Sequence, residues 1–197
     1  MTNINKILKL MKKNNNTITT KEIVTYGINR YFLTQMVRRK LIERIARGIY
    51  IDKNELGDEF FNIIIQSKKA VFSHSTALYL HRFTDRTPYY FDITVPQGYN
   101  GLLQKNRKVR LFYIKRELFN VGLIEIESPQ GKRIRTYDVE RTICDLLRSK
   151  KRLDGDMIKD AIKSYLKNSN KNIYKLNEYA KKFKVEDELN KYLEVLL

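Results

Sequence analysis

Residues 19–51 read TTKEIVTYGINRYFLTQMVRRKLIERIARGIYI, and this stretch decides the fold of the N-terminal part of the chain. Thr19 and Glu22 fit a capping box, which predicts that a short helix begins here. Gly27 can adopt the positive φ that a tight turn needs. Asn29 is a good N-cap for a further helix that runs to about Lys40. Two helices joined by a short turn are therefore predicted.

The flanking residues complete a compact domain. Ile4, Ile7, Leu8 and Met11 recur at helical spacing and predict an earlier amphipathic helix. After the third helix, residues 41–51 are typical of two short strands around a turn near residues 46–48. Three helices followed by a hairpin are the order of a winged helix-turn-helix. We therefore predict this fold for a first domain spanning residues 1–54.

The third helix of this domain has two chemically distinct sides. On a helical wheel Leu33, Met36 and Val37 cluster and face the core. The opposite side carries residue types that recognise bases, since Arg pairs with guanine and Gln with adenine. An ordinary surface helix also has a polar side, so that alternative stays open. The predicted DNA-contacting residues of the helix and hairpin are Arg30, Tyr31, Thr34, Gln35, Arg38, Arg39, Lys40, Arg44 and Arg47.

The charge distribution favours a polyanionic partner. The chain carries a formal net charge of +17. Residues 1–53 hold 12 Lys and Arg against 3 Asp and Glu, and so contribute +9 of it. A compositional bias of the genome would spread the excess evenly. The concentration of the excess positive charge in residues 1–53 therefore indicates nucleic acid binding.

The second part, residues 55–197, is predicted to be an α+β domain with a helical C-terminal part. Strand-like stretches mix with amphipathic helices, and the last helices follow one another without strands between them. The whole chain is thus expected to be α+β. The predicted helices cover residues 58–68, 73–81, 138–148 and three segments after residue 155, and the predicted strands cover residues 89–95, 109–115 and 122–127.

Basic runs recur in this second part. Charge runs are usually only solvated, but several of these contain Arg, which favours phosphate contact over Lys. They form a predicted secondary DNA or phosphate patch: Lys105, Arg107, Lys108, Arg110, Lys132, Arg133, Arg135, Arg148, Lys150, Lys151 and Arg152.

Four stretches in order along the chain resemble a known family. They are residues 47–50 (RGIY), 72–81 (FSHSTALYLH), 93–96 (ITVP) and 140–147 (ERTICDLL). On these motifs the chain resembles the AbiEi antitoxins of bacterial abortive-infection, type IV toxin–antitoxin systems. Residues after about 152 match less distinctly.

The resemblance implies a function. It implies a transcriptional autorepressor of a phage-defence operon that binds inverted repeats in its own promoter, with two copies on the double-stranded DNA. It also implies a nucleotidyltransferase-like toxin, which the C-terminal domain counteracts and which the antitoxin need not touch directly. From the residues alone, Arg141 and Asp145 are expected to pair along one helix, which is a structural role.

Two alternatives come from other classes of protein. A restriction-like nuclease needs an Asp and an acid-x-Lys strand, and Asp92 with Glu125 and Glu127 offers acids, but Ser128 follows instead of Lys. His74 and His81 are too far apart for a standard metal motif and are expected in the core or near a cap. We therefore predict no catalytic residue, metal or cofactor. The other alternative is a protein-interaction module that binds the toxin directly.

The same residues predict the compartment. The N-terminus lacks the apolar core of a signal peptide, and the longest apolar run is too short to span a membrane. A single cysteine, Cys144, cannot form an internal disulfide and is expected to be packed in its helix. A cytoplasmic protein without membrane contact is expected.

Overall fold

The computed structural model describes residues 2–14, 16–53 and 58–196, and the chain divides into two compact units. Unit 1 comprises Met1–Ser67 and Glu127–Lys132, and unit 2 comprises Lys68–Ile126 and Arg133–Leu197. The boundary predicted between residues 54 and 55 lies outside the described residues. The division of the structure falls after Ser67, so residues 58–67 belong to unit 1.

Unit 1 begins as three helices and a small sheet. The sheet is antiparallel, with the order β1-β3-β2. This is the winged helix-turn-helix that the sequence predicts, with one further strand, β1, that it does not. The elements are α1 (Asn3–Lys13), β1 (Thr17–Thr19), α2 (Thr20–Thr25), α3 (Tyr31–Arg38), β2 (Ile42–Ala46), β3 (Ile49–Asp52) and α4 (Glu59–Ile64).

The predicted local signals form as expected. The Thr19 hydroxyl accepts from the backbone N–H of Glu22 at 3.2 Å, and the Glu22 carboxylate accepts from the N–H of Thr19 at 2.7 Å. Gly27 has a φ of 68°. The Asn29 side chain accepts from the N–H of Tyr31 at 2.8 Å, although the N-cap of α3 falls one residue later than predicted, at Arg30. Helix α3 ends at Arg38, about one half-turn before the predicted Lys40.

The core of unit 1 fixes the orientation of α3. Leu33 and Met36 are buried as predicted and Val37 is half-buried. In α2, Ile23 is buried, whereas Val24 is 60% exposed. The buried apolar residues are Ile7, Met11, Ile18, Ile23, Ile28, Leu33, Met36 and Ile42.

Helix α4 and its N-cap contact the segment Glu127–Lys132, which comes from later in the chain. Asp58 caps α4 by accepting from the N–H of Phe61 at 3.0 Å. Its other carboxylate oxygen accepts from the hydroxyl of Ser128. The Lys132 ammonium lies 5.2 Å from the centre of the Phe61 ring. These contacts explain why Glu127–Lys132 groups with unit 1 rather than with the strands on either side of it.

Unit 2 is a mixed sheet with helices. The sheet has the order β6-β5-β4-β8-β7, in which β4 is antiparallel to β5 and parallel to β8, and β5 is parallel to β6. Strands β4 and β8 were not predicted. The elements are β4 (Val71–Phe72), α5 (His74–Leu80), β5 (Phe91–Pro96), β6 (Val109–Ile114), α6 (Arg116–Phe119), β7 (Leu123–Glu127), β8 (Arg133–Tyr137), α7 (Val139–Arg148), α8 (Gly155–Lys167), α9 (Ile173–Phe183) and α10 (Glu186–Leu196).

Helix α7 is the centre of the helical layer. Ile143, Cys144 and Leu147 are buried in a cluster that also takes residues from α5, α8, α9 and α10. The helical C-terminal part is thus confirmed. In the described part of the chain, no helix is long and apolar enough to cross a bilayer.

Candidate nucleic-acid interface

The outer side of α3 presents the predicted recognition residues. Tyr31, Thr34 and Arg38 are exposed, and Gln35 is half-buried. The Gln35 amide nitrogen donates to the Tyr31 hydroxyl at 2.8 Å, one helical turn away. This bond orders both side chains before any ligand binds, and Gln35 must exchange it to use both polar atoms on a base.

An open groove of about 690 Å³ lies between the start of α3 and the β2–β3 hairpin. It brings the first half of the predicted recognition helix together with both hairpin arginines. Arg38, Arg39 and Lys40 lie at the other end of α3, where they are exposed. The groove is lined by Thr20, Asn29, Arg30, Tyr31, Thr34, Arg44, Arg47, Gly48 and Tyr50.

The sequence did not assign Thr20, Asn29, Gly48 and Tyr50 to this groove. The N–H of Thr20 donates to the carbonyl of Gly48 at 2.8 Å, which ties the hairpin turn to the start of α2. Gly48 has a φ of 76°, and an added Cβ would lie 3.3 Å from the Thr20 hydroxyl. A hydroxyl in the first turn of a helix suits a phosphate contact, which is the one sequence signal that points to Thr20.

Two arginines of the predicted secondary patch lie near one phenylalanine in unit 2, and a third lies near a buried carboxylate. Arg110 makes two hydrogen bonds to the buried Asp92 carboxylate, of 2.6 and 2.8 Å. The guanidinium carbons of Arg110 and Arg152 lie 5.5 and 4.4 Å from the centre of the Phe112 ring. Arg148 approaches Asp145 at 3.7 Å. The hydrogen bond to Asp92 raises the pKa of Arg110, so its charge is secure.

The remaining patch residues do not share one environment. Lys132 belongs to unit 1, whereas Arg135 belongs to unit 2 and donates to the carbonyl of Lys68. Burial lowers the pKa of Arg135. The structure therefore divides the predicted patch between two units and among several partners. The exposed members are Lys105, Arg107, Lys108, Arg133, Lys150, Lys151 and Arg152.

The acidic residues that the nuclease alternative needs lie in different environments. Asp92 is buried against Arg110 and accepts from the backbone N–H of Ser75 at 3.1 Å, whereas Glu125 and Glu127 are exposed. Among the described residues, no three His, Cys, Asp or Glu side chains come together as a metal site. Burial raises the pKa of Cys144, which keeps its thiol protonated and unreactive.

His74 is a core residue, as expected. Its ring stacks on Phe112 at 3.6 Å, and its two nitrogens lie 2.8 Å from the Ser73 hydroxyl and 3.0 Å from the Ser149 hydroxyl. Burial, with help from four nearby arginines, lowers its pKa well below the ordinary value. His81 is half-buried, and its Nε2 donates to the Tyr137 carbonyl at 2.7 Å.

The burial of His74 makes stability depend on pH. As the pH falls through about 6.5, the unfolded chain takes up a proton on this imidazole and the folded chain does not. We expect the free energy of unfolding to fall by up to about 1.4 kcal/mol per pH unit below about pH 6.5. Urea unfolding at several pH values measures this slope. The contribution of His74 is the difference between the slope of the wild type and that of a His74→Gln variant. A His81→Gln variant should keep the wild-type slope. Equal slopes in the wild type and His74→Gln would contradict the assignment.

Arg141 and Asp145 form the predicted pair, but deep inside unit 2. Arg141 Nε donates to Asp145 at 3.0 Å, and both side chains are fully buried. The Arg141 guanidinium lies between the Tyr137 and Phe183 rings, 4.0 and 4.1 Å from their centres. It also donates to the carbonyls of Leu118 and Val121 at 2.9 and 2.7 Å. Arg141 therefore joins α7 to α6 and to the loop that follows it.

The fold and groove of unit 1 define a winged helix-turn-helix module. Within it, residues 5–51 match the family described as "Transcriptional regulator, AbiEi antitoxin", which confirms the resemblance over these residues. The crystal structure of the RV2827C protein from Mycobacterium tuberculosis is similar in fold, with a TM-score of 0.66 over 92% of this chain and 72% of that chain. The two sequences are only 10% identical, so this likeness shows the fold alone. No curated protein matches the chain in sequence.

Proposed function

We propose that the chain is the antitoxin and transcriptional autorepressor of a toxin–antitoxin operon, and that unit 1 recognises operator DNA. The observation that carries this proposal is the groove between α3 and the hairpin. It joins Arg30 and Tyr31 to Arg44 and Arg47, so one surface offers both base-reading and phosphate-binding groups. The match of residues 5–51 to a family of transcriptional regulators supports the same function.

In this proposal α3 enters the major groove. Thr34, Gln35 and Arg38 then face base edges, and Arg39 and Lys40 at the end of the helix meet the phosphate backbone. Arg44 and Arg47 on the hairpin reach the adjacent minor groove or its phosphates. Two copies bind the two halves of an inverted repeat in the protein's own promoter, with a spacing set by the helical turn of the DNA.

The rest of the proposal concerns the toxin. Unit 2 counteracts a nucleotidyltransferase-like toxin encoded in the same operon, and the protein acts in the cytoplasm without catalysis of its own. Basic residues of unit 2, such as Lys105 and Lys151, add phosphate contacts on DNA beyond those of unit 1.

The test is a titration of the protein's own upstream DNA. We expect the Arg38→Ala/Arg39→Ala variant to lose specific binding and to stay folded, since both side chains are exposed. Arg38→Ala alone should cost about 1–3 kcal/mol of binding free energy, which is the loss expected for a base-contacting arginine.

A matched control separates recognition from charge. The Lys9→Ala/Lys12→Ala variant removes two exposed cations from α1 and should retain the preference for operator over scrambled DNA. If the Arg38→Ala/Arg39→Ala variant shifts the operator as well as the wild type does, α3 is not the recognition helix. If wild-type protein binds operator and scrambled DNA equally, it is not an autorepressor of this promoter.

A further inference from the structure

Two adjacent tyrosines immediately before β5 are exposed to solvent. Tyr89 is 83% exposed and Tyr90 is 45% exposed. Their rings pack edge to face, with centres 4.7 Å apart. Single exposed aromatic residues are normal, but two neighbouring rings that support one another expose adjacent apolar surface that water solvates poorly.

The surface next to these rings is positively charged. Strands β5 and β6 are parallel, with Phe91 opposite Val109 and Asp92 opposite Arg110. Tyr90 directly precedes Phe91, so Tyr90 and Arg110 lie at the same end of these two strands.

Arg110 is held in place before any ligand arrives. Its Nε and Nη2 donate to the two oxygens of Asp92, which is fully buried. Nη1 carries two further N–H groups that can donate to a phosphate oxygen. Arg152 extends the charge, since its guanidinium also lies over the Phe112 ring, at 4.4 Å. Arg152 also donates to the carbonyl of Leu111, the residue after Arg110, so both arginines lie at the start of β6, at the end of the sheet where Tyr89 and Tyr90 precede β5.

We propose that this tyrosine–arginine surface, formed by Tyr89, Tyr90, Arg110 and Arg152, binds single-stranded nucleic acid. Exposed rings stack on unpaired bases, and fixed guanidinium groups bind the phosphates between them. A duplex does not use the rings, because its bases are already stacked on one another. Tyrosine and arginine also occur together at protein interfaces, but the basic balance of residues 54–197, with 27 Lys and Arg against 19 Asp and Glu, favours a polyanion.

The experiment measures fluorescence anisotropy of labelled oligothymidylate and oligouridylate of about 12 nucleotides, bound by the full chain at about 0.15 M salt. We expect the Tyr89→Ala/Tyr90→Ala variant to bind these strands at least about tenfold more weakly. Tyr174→Ala removes a tyrosine of unit 2 that is 75% exposed on α9, and it should bind as the wild type does. Urea unfolding checks that both variants are folded.

A second readout follows the stacking itself. The chain contains no tryptophan, so the Tyr89→Trp variant carries a single reporter whose emission should be quenched when a base stacks on it. The matched Tyr174→Trp variant should show no quenching.

The site is independent of operator recognition, and the variants separate the two. The Arg38→Ala/Arg39→Ala variant should lose the operator duplex and keep the single strands, and the Tyr89→Ala/Tyr90→Ala variant should do the reverse. The proposal is overturned if the wild type binds neither oligonucleotide, which would leave the rings to a protein partner. Equal binding by Tyr89→Ala/Tyr90→Ala and the wild type, or an unquenched Tyr89→Trp variant, would overturn it as well.

Discussion

The Asp145→Ala variant is expected to lose about 3–5 kcal/mol of folding stability, since it leaves a buried arginine without its partner. The Arg141 side chain is fully buried, and its guanidinium lies against the Tyr137 and Phe183 rings. Its two backbone acceptors, the carbonyls of Leu118 and Val121, do not neutralise a full positive charge. The expected loss is a large share of the stability of an ordinary domain.

Cys144 provides a local measurement of this effect. It is the one cysteine of the chain, is buried in α7, and directly precedes Asp145. A thiol reagent should label it on the order of a hundred- to a thousandfold faster in Asp145→Ala than in the wild type, as the open state becomes more populated. Urea unfolding gives the free energy directly.

Two variants bracket this result. Asp160→Ala removes an exposed carboxylate from α8 and should change stability by less than about 0.5 kcal/mol. Asp145→Asn keeps an acceptor for Arg141 Nε and should cost less than Asp145→Ala. If Asp145→Ala is as stable as Asp160→Ala, the Arg141–Asp145 pair does not hold unit 2 together.

The elements with local signals were predictable from the sequence. The capping box at Thr19, the turn at Gly27 and the cap at Asn29 each depend on residues no more than three positions apart, and each forms in the structure. The helical stripes after residue 138 were predictable for the same reason, because a helix repeats its own pattern. Each of these elements is determined by residues that are close to one another in the sequence.

The elements that were missed depend on distant partners. Strands β1 and β4 are three and two residues long and exist because β3 and β5 pair with them. Strand β8 contains Arg133 and Arg135, so its sequence resembled a basic loop. The Arg141–Asp145 spacing predicted a pair, but its burial depends on Phe183, which lies on another helix.

The candidate site follows the same division. The polar side of α3 was predictable, since helical periodicity alone places Tyr31 and Thr34 together. The groove was not, because Thr20 and Tyr50 reach it only when α2 and β3 pack beside α3. The tyrosine–arginine surface was missed too: its basic residues attracted attention as a charge run, whereas Tyr89 and Tyr90 resembled the start of a buried strand.

Leu33→Ala is expected to destabilise unit 1 by about 2–5 kcal/mol, because it opens a cavity beneath α3. Leu33 is 1% exposed and packs in the cluster that contains Ile7, Met11 and Met36. A small unit buries little apolar surface, so this loss is a large fraction of what holds it together. Operator affinity should fall with stability, since α3 then keeps its position only in the surviving folded fraction.

The next residue along the helix is the matched control. Thr34 is exposed on the opposite side of α3 and lines the groove. Thr34→Ala should weaken operator binding while its free energy of unfolding stays within about 0.5 kcal/mol of the wild type. Urea unfolding and operator titration of Leu33→Ala and Thr34→Ala should therefore distinguish a residue that stabilises α3 from one that contacts DNA. If Leu33→Ala left stability unchanged, or Thr34→Ala unfolded unit 1, the two sides of α3 would have been assigned the wrong way round, and with them the surface that meets DNA.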